Sequence, residues 1–432
     1  MAFKIGLLGL GTVGTGTADI IYNPQGRHPL LNDITIHKIG VNSLTKKRTI
    51  ELPAHVLTTD LESIVTDPEI DIIIELIGGL EPARSLILKA IASGKHIVTA
   101  NKAVIARYGA EIFAAAREAR VYVLLEAAVG GGIPIVEPLK QSLGANRIEN
   151  IIGIVNGTTN YILTEMTQKG ANFEEVLTEA QALGYAEADP TADVEGYDAA
   201  DKIAILASLA FDRKVKREDV YSEGIVNTTS SDIDYADKLG FVIKLLAIAQ
   251  KKVYGHEESL QLRVHPTLVA KSHPLANVNG VFNAILVEGE PLGQVMFYGP
   301  GAGSGPTASA VVADTLNIVG VLQSNGKGHT LDPLLSSAPQ TFAEIAPIED
   351  VVSRFYARFL CADVPGVIGH LGTTFGEYGV SLASVVQIGV QGEFAEIVVV
   401  THHVREGNFS SAIAEIRSLN AIKDIPSMIR VL

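Results

Sequence analysis

The chain has 432 residues, is 47% hydrophobic and carries a formal net charge of −14. That length suits two to four ordinary domains with large cores, and the acidity, without any basic patch interleaved with aromatics, excludes nucleic acid and an anionic membrane as expected partners. The single cysteine, Cys361, excludes a disulfide framework and fits a reducing cytoplasm, and no apolar run reaches the roughly 18 residues a membrane span needs.

Residues 3–8 form a short apolar run that stops at GLGTVG, Gly9 to Gly14. It is too short for a signal-peptide core and reads as a buried first strand, followed by a helical pattern. Ile34 to Val41 is rich in β-branched residues and reads as a second strand. Asp71 to Gly79 reads as a third, ending in glycines. A helix through Leu86–Ala92 leads to His96–Val104, strand then loop. A helix around Ala110–Ala119 and a strand over Val121–Val129 complete the pattern. Apolar strands alternating with helices predict a parallel sheet covered on both faces. Residues 1–135 therefore read as an α/β, doubly wound nucleotide-binding domain of Rossmann type, with the chain returning to it near 303–325.

From Ile148 the pattern changes. RIENIIGIVNGTTNYIL reads as strand, polar turn and helix start, and SLQLRVHPTLV, NAILVEGE and QVMFYG read as further strands of an α+β domain over 136–321. His265 and His273 each precede a proline and read as loop residues. Gly299, Gly301, Gly303 and Gly305 alternate with other residues before a helix. The segment reads either as a ligand-approaching loop or as a plain connecting turn. Residues 322–350 are expected to form a linker, richer in Pro and Ser. Residues 351–432 show the order β-α-β-β-α-β of a ferredoxin-like unit. Through ADVPGVIGHL and a helix ending near Tyr378–Gly379, this segment resembles the ACT domain. That resemblance implies an amino-acid effector.

Gly9, Leu10, Gly11, Thr12, Val13 and Gly14 have GxGxxG spacing after a strand and before a helix, the context of a dinucleotide fingerprint. The position of the ribose-binding carboxylate instead holds Val41, Asn42 and Ser43, with Lys46, Lys47 and Arg48 just after. Nothing there repels a 2′-phosphate, so NADP is permitted beside NAD; equally, the cations read as a solvated turn. In TANKA, Lys102 lies at the carboxyl end of a sheet strand, the edge at which open parallel sheets bind ligands.

The segment GYAEADPTADVEGYDAADK crowds Glu187, Asp189, Asp193, Glu195, Asp198 and Asp201 before Lys202. With a helix starting near Gly196, Asp198 and Lys202 share one face, and as an exposed ion pair they contribute only a few tenths of a kcal/mol. The apolar run that follows puts this pair at the edge of a core, where a lysine can serve in proton transfer and carboxylates can grip a substrate ammonium.

This stretch, with GLGTVG, TANKA, EAAVGGGIP, GIVNGTTNYIL and FYGPGAGSGPTASAV in series, resembles the homoserine dehydrogenases over essentially the whole chain. The resemblance implies reversible NAD(P)H-dependent reduction of aspartate 4-semialdehyde to homoserine, on the route to threonine and methionine. It implies Lys202 as proton donor, Lys102 beside the nicotinamide and substrate, and Glu187, Asp198 and Asp193 on the substrate. Gly184 and Gly303 match cofactor contacts. EAAVGGGIP matches a monovalent-cation loop, Na+ or K+, held by Glu126, Val129, Gly131 and Ile133 mostly through backbone carbonyls. Threonine is a candidate effector at the ACT-like module, and a homodimer or homotetramer is expected. A thioester-forming aspartate-semialdehyde dehydrogenase needs a catalytic cysteine, and Cys361 lies in the ACT-like module. The remaining alternative is a non-catalytic sensor of nucleotide and amino acid. The pair His402–His403 lacks a third ligand for a metal.

Overall fold

The computed structural model describes residues 2–254, 257–325, 330–336, 338–391 and 394–432. The chain divides into two compact units: Met1–Ile151 with Asp201–Asp219 and Asn283–Ala343, and Ile152–Ala200 with Val220–Phe282 and Glu344–Leu432.

In the first unit, the apolar run Phe3–Leu8 is the central strand of a parallel six-stranded sheet. The order from one edge is Leu57–Thr58, Ile34–Gly40, Phe3–Leu8, Ile72–Glu75, His96–Thr99 and Val123–Leu124. This is the doubly wound order, with its switch point between Phe3–Leu8 and Ile72–Glu75. Ile5, Leu7, Ile72, Ile74 and Val98 are buried in the core that the sheet forms with its helices. The helix Ser304–Asn325 packs on Thr12–Tyr22, where a Cβ on Gly16 would come 3.1 Å from Ala308 Cβ, and its Val311, Ile318 and Val319 join the same core, so the chain re-enters this unit late. Contrary to the sequence expectation, part of that helix, Ser304–Ser324, is long and apolar enough to span a membrane by length and composition. Its apolarity is that of a core helix.

Two strands are shorter than expected, the first for a local reason and the second because of a distant partner. The third stops at Glu75, whose carboxylate accepts the N–H groups of Ile77 (2.9 Å) and Gly78 (3.3 Å) and folds the chain back. The segment expected as a strand over Val121–Val129 pairs only at Val123–Leu124, and Glu126–Ala128 is a 3-10 turn. There the Glu126 N–H is taken by Asp314 Oδ2 at 2.8 Å instead of by a sheet neighbour.

The second unit is built on a hairpin whose strands, Phe241–Tyr254 and Glu257–Ala270, pair along their whole length. The first of these is absent from the sequence reading. His265, expected in a loop, is buried mid-strand with Nδ1 bonded to Thr267 Oγ1 at 2.9 Å, and burial holds its ring well below the usual imidazole range. The C-terminal module follows the expected order: Val352–Ala362, Val367–Glu377, Leu382–Gln391, Phe394–Thr401, Glu406–Arg417 and Ile422–Val431. Its core stacks Phe355 on Phe409 at 4.1 Å and encloses Cys361. Its last strand pairs in parallel with Glu257–Ala270, Thr267 facing Arg430 and Leu268 facing Val431.

Lys244, on the first hairpin strand, is buried and donates to Asn160 Oδ1 (3.1 Å), Val278 O (2.6 Å) and Asn279 Oδ1 (3.1 Å). Burial lowers its pKa to about 8. The unfolded chain keeps this proton up to about pH 10.4, so between those values the unfolded state binds more protons and stability rises with pH. The expected gain is on the order of 3 kcal/mol between pH 8 and 10.4, relative to Lys244→Met. Denaturation midpoints of both proteins at pH 7.5 and 9.5 check it, and a constant difference contradicts it.

Candidate active site

In the first unit the three glycines of the turn do different work. Gly9 ends the first strand at φ +100, donates its N–H to Gly40 O at 3.0 Å, and would place a Cβ 2.7 Å from Leu76 O. Gly14 would place one 2.2 Å from Gly9 O, so the helix Thr12–Tyr22 can approach only without a side chain there. A Cβ on Gly11 would meet nothing within 4 Å, which leaves open space at the helix N-terminus where an anion is favoured. Ser304 Oγ donates to Thr12 O at 2.8 Å and ties the glycine loop at Gly303 (φ +124) to this turn. The loop at 299–305 is thus a built feature of the nucleotide-binding unit.

Lys102 is the first residue of the helix Lys102–Ala119, one step beyond the loop position that the sequence suggested. A polar chain fixes its backbone. Buried Glu75 accepts Thr99 Oγ1 at 2.7 Å, and Thr99 Oγ1 accepts the Asn101 N–H at 3.0 Å. Asn101 in turn caps the helix through Val104 N (3.3 Å) and donates to Gly79 O (2.8 Å). The sequence reading passed over Glu75, Thr99 and Asn101; the signal was a carboxylate closing an otherwise apolar strand. Lys46 and Lys47 are exposed, whereas Arg48 closes its own loop by donating to Ser43 O (2.5 Å) and Lys46 O (2.8 Å).

In the second unit the acidic stretch divides by role. Asp189 caps its own turn through Thr191 Oγ1 at 2.6 Å. Asp193 Oδ1 and Asp198 Oδ2 converge on one amide: Asn156 Nδ2 donates to them at 2.6 and 2.9 Å, while Asn156 Oδ1 caps the helix Gly157–Lys169 through Thr159 N at 2.8 Å. Asn156 is the residue that sequence reasoning missed; its signal was an Asn before GTT, a helix-cap pattern. Asp198 is buried and opens the helix Tyr197–Ala210, on which Lys202 follows four residues later. Gly196, at φ +79, turns the chain into this helix, and Gly184, at φ +75, ends the turn after Phe173–Ala182. The Glu187 side chain is exposed, and among the described residues it is not hydrogen-bonded to the Asn156 cluster. In the first unit, Asp201 instead pairs with Arg107 (3.2 Å) and Arg217 (3.4 Å).

In the EAAVGGGIP turn, the buried Glu126 carboxylate accepts the N–H groups of Ile135 (2.6 Å), Val136 (2.8 Å) and Glu137 (2.8 Å). Burial pushes its pKa up, and that of Asp314 well up. This carboxylate holds the first turn of the helix Val136–Lys140 through those three N–H groups. Gly130 and Gly131, at φ +75 and +56, turn the backbone there. Among the described residues the carbonyls of Val129, Gly131 and Ile133 take no backbone hydrogen bond, which leaves an oxygen-only donor set suited to a hard cation.

Comparison with known proteins gives these features a family. The model "Homoserine dehydrogenase, NAD binding domain" matches residues 9–126, "Homoserine dehydrogenase" residues 134–316, and "ACT domain" residues 355–421. A curated homoserine dehydrogenase from a Synechocystis species is 68% identical over 432 residues, covering 100% of both chains. The chain belongs to the homoserine dehydrogenase family. It is an NAD(P)-dependent oxidoreductase of α/β fold with a C-terminal ACT domain, and the sensor alternative is not favoured. The crystal structure of a homoserine dehydrogenase from Thiobacillus denitrificans is similar with a TM-score of 0.92 and 44% identity, over 100% of this chain and 98% of that one. A hyperthermophilic archaeal homoserine dehydrogenase in complex with NADPH is 26% identical with a TM-score of 0.62, over 74% of this chain and 98% of that one.

Proposed function

We propose that the chain carries out reversible reduction of L-aspartate 4-semialdehyde to L-homoserine in the cytoplasm, for threonine and methionine synthesis, with Lys202 as proton donor. The observation that supports this most is the convergence of Asp193 and Asp198 on Asn156, one helical turn before Lys202. Two carboxylates gathered on one amide concentrate negative charge where a substrate ammonium can be received. When bound, the nicotinamide supplies the hydride that the aldehyde carbon receives. Lys202 Nζ then gives a proton to the forming alkoxide and takes it back in the oxidative direction. Asp198 and Asp193 hold the ammonium, with Glu187 as a further substrate contact from its exposed turn. Lys102, at its helix N-terminus, orients the substrate beside the nicotinamide. The turn Gly9, Leu10, Gly11, Thr12, Val13 and Gly14 receives the pyrophosphate, with Gly184 and Gly303 as further cofactor contacts.

Exposed Lys46 and Lys47 favour NADP over NAD. The carbonyls of Glu126, Val129, Gly131 and Ile133 would hold Na+ or K+ and stiffen the turn. The ACT domain takes an amino-acid effector, threonine being the first candidate, and the protein works as a homodimer or homotetramer. The functional division is 1–135 for cofactor binding, 136–321 for catalysis and dimerisation, 322–350 as connection and 351–432 for regulation.

Asp198→Asn tests the substrate role. It is expected to lower kcat/KM roughly 30- to 1000-fold, the consequence of losing about 2–4 kcal/mol of charge pairing, with NADPH affinity unchanged by fluorescence titration. A kcat/KM within twofold of wild type removes Asp198 from the site.

A further inference from the structure

A cavity of about 180 Å3 in the first unit lies apart from the residues assigned above. Its walls are the apolar sides of two helices: Ile105, Ala106 and Phe113 from Lys102–Ala119, and Ala204, Ile205 and Leu209 from Tyr197–Ala210. Its mouth is different in character. Lys214 and Lys216 line it, with Nζ atoms 5.4 and 5.2 Å from the centroid of the Phe342 ring, which is 57% exposed. The backbones of the two mouth segments are joined by Lys214 N to Thr341 O (2.6 Å) and Ala343 N to Lys214 O (3.0 Å), so this lining is fixed.

Among the described residues neither the Lys214 nor the Lys216 ammonium forms an ion pair, the Asp219 carboxylate being taken by the Lys216 backbone N–H at 2.8 Å, whereas Arg107, also in the lining, is paired with Asp201. Glu218 is the one acidic residue of the lining. On a chain of net charge −14, two ammonium groups over an aromatic ring at an apolar opening are a local inversion of sign. An apolar cavity of about 150 Å3 accommodates a benzene ring, and a carboxylate at the mouth would take charge-assisted hydrogen bonds from both lysines.

We propose that this cavity is an effector site for a small aromatic carboxylate, whose ring fills the space between the two helices and whose carboxylate sits between Lys214 and Lys216. The helices give the site its reach into catalysis. Ile105 is three residues beyond Lys102, and Ala204 is two residues beyond Lys202. A ring wedged between them biases the placement of both lysines, a differential contact of the kind that coupling requires.

The test uses the full chain, with 3-phenylpropanoate as probe and 3-phenylpropan-1-ol as its uncharged counterpart, measured by calorimetry and by steady-state turnover. The acid is expected to bind saturably with one site per chain and to change kcat at least twofold. The alcohol, and the double variant Lys214→Ala/Lys216→Ala with the acid, are expected to bind at least tenfold more weakly. The double variant, altered only at the mouth, keeps wild-type basal turnover and loses the response. Absence of saturable binding, equal affinity for acid and alcohol, full binding by the double variant, or binding without any change in kcat each overturns the proposal. Because binding is read by heat, failure here is distinguishable from failure of the dehydrogenase assignment.

Discussion

Lys202→Ala is expected to lower turnover by roughly 10^2- to 10^4-fold, the range that a positioned proton donor supplies, while NADPH binds with wild-type affinity. The separation of effects follows from the layout. The pyrophosphate turn is built from Gly9, Gly14 and the Ser304–Thr12 contact, and none of these depends on the Lys202 side chain. Stopped-flow measurement of NADPH oxidation in the presence of aspartate 4-semialdehyde reads the chemical step, and a fluorescence titration reads the cofactor. Near-normal turnover in the variant would remove Lys202 from the reaction. Loss of NADPH binding would show that its role is structural.

The second large effect is expected far from the chemistry. Arg430 is buried in the strand Ile422–Val431 and donates from Nε to Glu406 at 3.0 Å and from Nη1 to Glu223 at 2.8 Å, with Nη2 completing a two-point grip on Glu406. These pairs hold its pKa above the usual guanidinium range despite burial. Arg263, also buried, lies close enough for Arg430 to depress its pKa, after burial itself, to about 10. Two effects therefore oppose each other when Arg430 is removed. Relief of the Arg263 repulsion stabilises, while Glu406, itself buried, loses its two-point hydrogen-bonded partner and keeps only the more distant attraction of Arg263. The second dominates, because breaking a buried pair from one side costs about 3–5 kcal/mol. Arg430→Ala is expected to lower the denaturation midpoint accordingly, and Arg430→Met/Glu406→Leu to recover most of the loss. A single variant within about 0.5 kcal/mol of wild type, the ordinary range for a surface change, would contradict the reading that these charge pairs hold the last strand to Glu406 within the module and to Glu223 outside it.

Legibility from sequence tracked how local the cause was. Gly9 and Gly14 could be read because the demand on them, a left-handed φ and a 2.2 Å backbone approach, comes from their own turn. The ACT order was legible because each of its elements carries its own period. Apart from the early end of the third strand at Glu75, whose cause is local, the misses arise from distant partners. Glu126 leaves the sheet because Asp314, 188 residues away, takes its N–H. His265 is mid-strand because a complete ladder with Phe241–Tyr254 outweighs the His-Pro turn signal. Asn156 gathers Asp193 and Asp198 from 37 and 42 residues away, so only the cap half of its role is written locally. The pairing of the module's last strand with Thr267 and Leu268 likewise joins distant segments, and no single segment announces it.

The central claim is that the chain's acidic turn and Lys202 serve reduction of an amino-acid aldehyde. The most direct measurement is the initial rate of NADPH and NADH oxidation by the full chain with aspartate 4-semialdehyde, with and without threonine. The account predicts saturable turnover, faster with NADPH and altered by threonine. No turnover with either cofactor, in protein that binds NADPH, would contradict it and leave the carboxylates around Asn156 as a binding cradle without chemistry.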